Sequence, residues 1–99
     1  MNLKIFLIII GFINPQEQES FNIYSTQINQ LYENAGAEVT NRYPIVQTLM
    51  GDEKPNFILV VEFPNQTSLH QLFTSEDYKK LVPYREKAFS KINVFISTE

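Results

Sequence analysis

Two short stretches, LKIFLIII (Leu3 to Ile10) and FILVVEF (Phe57 to Phe63), carry apolar residues at odd and even positions alike. A strand turns successive side chains to opposite faces of its sheet, so both runs demand burial on two sides. Between them the period changes. Phe21, Tyr24, Ile28, Leu31, Tyr32 and Ala35 recur at spacings of three and four, the stripe of a helix. Asn14 suits its N-cap, Pro15 its first position and Glu17 the third residue after the cap, while Gly36 stands where a left-handed C-terminal residue is wanted. From Glu38 to Met50, the residues Val39, Thr40, Ile45, Val46 and Thr48 favour extended chain, with Pro44 demanding a bend, a bulge or an edge position. Gly51-Asp52 predicts a turn, and the polar segment Asp52 to Asn56 joins Met50 to Phe57 as an antiparallel hairpin.

Leu69, Leu72 and Phe73 mark one face of a helix that begins near Asn65, and Ser75 before Glu76 and Asp77 supplies a fresh cap. Pro83 must kink the helix or restart it, with Tyr84 to Ser90 continuing beyond. From Lys91 to Ser97, Ile92, Val94 and Ile96 alternate with Asn93 and Phe95, the pattern of a closing strand. The order is strand, helix, strand, strand, helix, strand. Right-handed crossovers then place both helical segments on one face of a four-stranded antiparallel sheet, an α+β, ferredoxin-like βαββαβ sandwich forming a single domain over residues 1–99.

That arrangement leaves one sheet face bare. Phe6, Ile8, Ile10, Ile58 and Val60 are expected there, and each gains about 1.5–3 kcal/mol when fully buried. Together they amount to roughly 8–15 kcal/mol, comparable to the whole stability of a domain. A second copy packed face to face, about 10 Å away, satisfies both by two-fold symmetry. A homodimer through the sheet face is therefore expected. Helices on both faces of a monomer would need an unusual topology.

Composition narrows the partners. Apolar residues make up 43% and charged residues 19%, which is globular and far from a disordered signature. A net charge of -3, with basic residues scattered except at Lys79-Lys80, gives no footprint for phosphate backbones, so no nucleic acid is expected. The absence of cysteine removes disulfides and thiol nucleophiles, and fits a reducing, cytoplasmic setting. The first thirteen residues have the charged-then-apolar outline of an export signal. No small-x-small site follows Phe12-Ile13, however, and the run is far short of the ~20 residues that span a bilayer. A buried first strand, and no membrane, is the expectation.

The stretch VVEFPNQTSLHQLFTSEDYKKLVPYREKAF, Val60 to Phe89, resembles the small bacterial proteins grouped as domain of unknown function 1330, within the dimeric α/β-barrel superfamily. Glu62-Phe63-Pro64 stands for the family's E-F-P at the end of the third strand. Ser75-Glu76-Asp77-Tyr78 stands for its Ser-x-Glu-Tyr helix start, and Arg85 for the Arg on the following turn. Asp77 replaces the usual Glu, and Glu76 occupies a position where Pro is common. Gly36, Arg42 and Gly51 extend the likeness more weakly. The resemblance implies a homodimeric barrel whose superfamily neighbours include cofactor-free monooxygenases, haem-degrading oxygenases and lactone isomerases. Fold alone does not carry chemistry across.

Few side chains could do chemistry. Glu62 shares a face with Ile58 and Val60, so a carboxylate near a partly buried interior could act as a general base, or else pair with Arg42 or Arg85 as a structural ion pair. Arg85 could grip a ligand carboxylate through its planar fork, although helix arginines commonly lie on the surface. Arg42, Tyr24, Tyr43, Tyr78 and His70 complete the candidate ligand contacts. Packing alone explains Tyr24 and Tyr32, which stand on the helix stripe, whereas a bent strand could turn Tyr43 toward a cavity mouth. His70 is the only histidine and stands beside Leu69, on the flank of its helix. No metal and no cofactor is expected from one histidine and no cysteine. The leading expectation is a homodimer that binds an apolar or aromatic small molecule in a cleft between helices and sheet. The second is a cofactor-independent monooxygenase or isomerase, acting in the same cleft on a small aromatic or lactone-like substrate, with Glu62 as base and Arg42 or Arg85 stabilising an anion. The third is a purely structural dimerisation module.

Overall fold

A computed structural model describes residues 4–99; Leu3, the start of the first apolar run, lies outside the described residues. The strands β1 (Ile5–Ile13), β2 (Glu38–Pro44), β3 (Phe57–Phe63) and β4 (Phe89–Thr98) form one sheet in the order β2-β3-β1-β4, with every neighbour antiparallel. The two continuous apolar runs thus take the two central positions, where a strand has a partner on each side. Helix α1 (Gln18–Asn34) joins β1 to β2, and the short helices α2 (Gln66–Thr74), α3 (Glu76–Lys79) and α4 (Val82–Ala88) join β3 to β4. This is the expected ferredoxin-like arrangement.

All the helices cover one face. Ile5, Leu7 and Ile9 of β1 and Val61 and Phe63 of β3 are buried against Tyr24, Ile28 and Tyr32 of α1 and against Leu69, Leu72, Tyr78 and Leu81. The alternate residues Phe6, Ile8, Ile10, Ile58 and Val60 stay partly exposed on the opposite face, and Phe95 of β4, paired with Ile8, is 53% exposed there. The shortest principal extent is 16 Å, the thickness of one sheet and one helical layer.

Local signals account for most element ends. After α1, Gly36 takes φ +73°, its amide donates to the Glu33 carbonyl (3.1 Å) and the Ala37 amide to that of Tyr32 (2.8 Å), so the last helical carbonyls find donors. Asn65 and Ser75 cap α2 and α3, their side chains accepting from the amides of Ser68 (2.8 Å) and Tyr78 (3.1 Å). Pro83 opens α4, where its missing N–H costs nothing. Gly11 of β1 has the ring of Phe57 lying directly over it, and a methyl group at position 11 would overlap that ring.

Two boundaries differ from expectation. Helix α1 starts at Gln18 rather than beside Pro15, because Asn14 closes a turn instead: its side chain accepts from the Gln16 amide (3.1 Å) and its carbonyl from the Glu17 amide (3.1 Å). Strand β2 ends at Pro44, not Met50, although Ile45, Val46 and Thr48 have strand propensity. Regular pairing with β3 stops at Pro44↔Phe57, and one backbone bond continues it, from the Ile45 amide to the Asn56 carbonyl (2.9 Å). A loop over 45–56 replaces the expected extension of the strand to Met50 and its shorter connection over Asp52 to Asn56. Asn56 pins its end, donating from its amide to the Gly11 carbonyl (2.7 Å) and accepting from the Ile13 amide (2.7 Å).

Candidate functional site

The helical layer does not close fully onto the sheet. A cavity of ≈ 130 Å³ lies between them, with Leu7, Ile9, Phe57 and Leu59 on its floor and Tyr24, Ile28 and Tyr32 of α1 on its roof. The ring of Phe57 reaches the floor because Gly11 leaves space for it. Phe21 and Phe89 pack edge to face in this wall, with ring centroids 5.7 Å apart, and Phe73 meets Tyr78 at 4.8 Å.

Polar groups converge on this apolar chamber from three elements. Tyr24 and Tyr32 sit eight residues apart on the buried stripe of α1, Tyr78 is held by the capped turn of α3, and Arg85 reaches in from α4. The Nη1 of Arg85 donates to the Tyr78 hydroxyl at 2.6 Å, and its guanidinium lies 5.8 Å from the centre of the same ring. Burial pushes the Tyr24 phenol above its ordinary value of 10.0; the neighbouring phenols of Tyr78 and Tyr32 and a hydrogen bond with Tyr78 add to the rise, and Arg85 opposes it. Burial likewise raises Tyr32, with Tyr78 adding and Arg42 opposing. Both phenols therefore stay protonated, as hydrogen-bond donors, across the physiological range.

A sign follows for alkaline stability. The native state holds these two protons above the pH at which the unfolded chain releases them, so their contribution is complete below pH 10.0 and declines as pH rises beyond it. Absorbance titration is expected to show at least two of the five tyrosines ionising only together with the loss of far-ultraviolet circular dichroism. Ionisation of all five in a folded chain would contradict this.

A bulge decides which side chains of β2 face the cavity. Val39 pairs with Val61 but Asn41 pairs with Val60, so Thr40 is an extra residue and the alternation shifts by one. Arg42, opposite Leu59, consequently lines the cavity, and Tyr43, opposite Ile58, lies on the bare face, where its hydroxyl accepts from Asn41 (2.8 Å). The expected turn of Tyr43 toward the cavity mouth is corrected by that shift.

The structure brings together Arg42, Arg85, Tyr24 and Tyr78, and it separates Glu62, Tyr43 and His70 from them. Glu62 shares the bare face with Ile58 and Val60, and its ion-pair partner is Lys4 (3.4 Å), not either arginine. A base at Glu62 cannot act in the cavity, which lies on the other side of the sheet. His70 is exposed on α2, because the buried face of that helix runs through Leu69 and Leu72. Tyr32, for which packing alone is the sequence expectation, also lines the cavity. The signal was the pairing of two polar-tipped rings, Tyr24 and Tyr32, on one otherwise apolar stripe. Among the described residues, no cluster of three His, Asp or Glu side chains could hold a metal ion.

The family described as domain of unknown function (DUF1330) matches residues 7–98. No curated protein matches the chain. A protein of unknown function from Rhodopseudomonas palustris is similar in structure, with TM-score 0.88 and 16% identity over 100% of this chain and 84% of that one. A dimeric protein of unknown function with a ferredoxin-like fold from Bacteroides fragilis aligns at TM-score 0.64 and 11% identity, over 97% and 96% of the two chains. A dimeric ferredoxin-like protein of unknown function from Thermobifida fusca aligns at TM-score 0.61 and 12% identity, over 100% and 93%. At these identities the likeness is one of fold.

Proposed function

The chain belongs to the family described as domain of unknown function (DUF1330), and we propose that it works as a homodimer whose protomers each hold a small apolar or aromatic molecule between helices and sheet. The observation that carries this reading is the cavity itself, where apolar walls surround a few convergent polar groups, the usual make-up of a small-molecule site. Its ≈ 130 Å³ is close to the ~150 Å³ of an engineered apolar cavity that accepts benzene, so the guest is of single-ring size. For the dimer, support comes from the five apolar side chains of the bare face and from a molecule one helical layer thick. Two proteins of similar fold are described as dimeric. No helix among the described residues is long and apolar enough to cross a membrane.

Turnover in the cavity, as a cofactor-independent monooxygenase or isomerase, would have to rely on its phenols, guanidinium groups, Ser25 and Asn29, since no carboxylate among the described residues lines it. Binding without turnover asks for nothing beyond the groups in the wall. Titrating the labelled protein with benzyl alcohol, followed by backbone amide NMR, tests the reading. Shifts are expected to concentrate on cavity residues such as Ser25, Ile28 and Leu59, and shifts scattered over the surface, or none, would refute it.

A further inference from the structure

The sequence contains only two arginines, Arg42 and Arg85, and both line the same cavity. Among the described residues, no aspartate or glutamate stands in its wall. The chain as a whole carries a net charge of -3, so this is a positively charged chamber inside an acidic protein. The ion pairs among the described residues are Lys4–Glu62, Lys79–Glu76 and Lys91–Glu53, and none involves an arginine. Arg85 is nevertheless partly buried, and a guanidinium drawn away from water without a counter-charge is unfavourable. A bound anion relieves that cost.

We propose that the molecule bound in this cavity is a single-ring carboxylate, its carboxylate held between Arg42 and Arg85 and its ring seated against the aromatic wall. The inference rests on the reading of the cavity as a binding site. A planar guanidinium fork matches a carboxylate edge to edge, with two parallel hydrogen bonds. Tyr78 accepts one N–H of Arg85 and so fixes the orientation of that fork, leaving its other donors for a guest. Arg42 stands at the exposed rim, where it adds attraction on entry. Tyr24 and Tyr32, kept protonated by burial, donate hydrogen bonds rather than repel an anion. The volume suits a ring of benzoate size.

The test compares benzoate with benzamide, which has nearly the same shape and no charge, by calorimetry and amide NMR on the intact protein. Benzoate is expected to bind about tenfold or more tighter than benzamide, as charge-assisted contacts require. Arg42→Gln lies on an exposed edge strand where folding is little threatened, and Arg85→Gln is checked by circular dichroism. Each is expected to abolish the preference, bringing the two affinities within about threefold of one another. Benzamide binding as tightly as benzoate to the unsubstituted protein would overturn the carboxylate and leave the cavity reading standing. Failure of both probes to perturb cavity residues would overturn the two together.

Discussion

Replacing Ile8 by lysine is expected to turn a dimer into an 11.6 kDa monomer with the fold retained. Ile8 lies on the central strand β1 and projects from the bare face between Val60 of β3 and Phe95 of β4, at the middle of the proposed interface. Two-fold symmetry places the new ammonium in each copy, so its desolvation is felt twice, at several kcal/mol per uncompensated charge. A loss of about 4 kcal/mol already weakens association a thousandfold. The same lysine in an isolated protomer meets water, so circular dichroism should change little. Light scattering at micromolar concentration decides the matter. If the unsubstituted protein runs as a monomer, or Ile8→Lys remains a dimer, the bare face is not where copies meet.

Truncating Phe63 to alanine should cost more stability than any other single change considered above. Phe63 is 0% exposed, ends β3 in the middle of the core, and meets Tyr32 edge to face with centroids 6.1 Å apart. Buried Phe→Ala changes cost about 3–5 kcal/mol, a large part of what a domain of this size possesses. At about 4–8 °C per kcal/mol, the midpoint of thermal unfolding should fall by at least about 12 °C. The comparison must be made at one protomer concentration, since association also stabilises the fold. His70→Ala, on an exposed turn of α2, should stay within about 0.5 kcal/mol and serves as the control. A small shift for Phe63→Ala would mean that the site collapses around the lost ring.

What was legible in the sequence followed the strength of the local physics. Double-sided runs at β1 and β3 require central strands, and the three-and-four spacing from Phe21 to Ala35 leaves little freedom for α1. Glycine at position 36, the cap at Ser75 and Pro83 in the first turn of α4 were likewise legible, because each serves a backbone need that few residues meet. The failures arose where a partner's position matters more than a residue's preference. Val46 and Thr48 would suit a strand, but the ladder with β3 has ended before them, and Val46 ends 95% exposed. Asn14 had the chemistry of a helix cap and used it on a turn one step earlier.

The candidate site was half legible for the same reason. Tyr24 and Tyr78 occupy regular helical positions, so the cavity they face follows from periodicity. Glu62 follows the strand alternation beside Ile58 and Val60, but the arginines line the opposite side of the sheet. Arg42 and Tyr43 depended on a register shift that no side chain advertises.

One surplus backbone unit at Thr40 thus decides which of two neighbours looks inward, so the electrical character of the chamber is written in chain length rather than in residue identity. Sliding that unit past Tyr43 would trade a cation for a ring indoors, and a ring for a cation on the opposite surface. Two chains of identical composition along this edge could therefore welcome opposite guests.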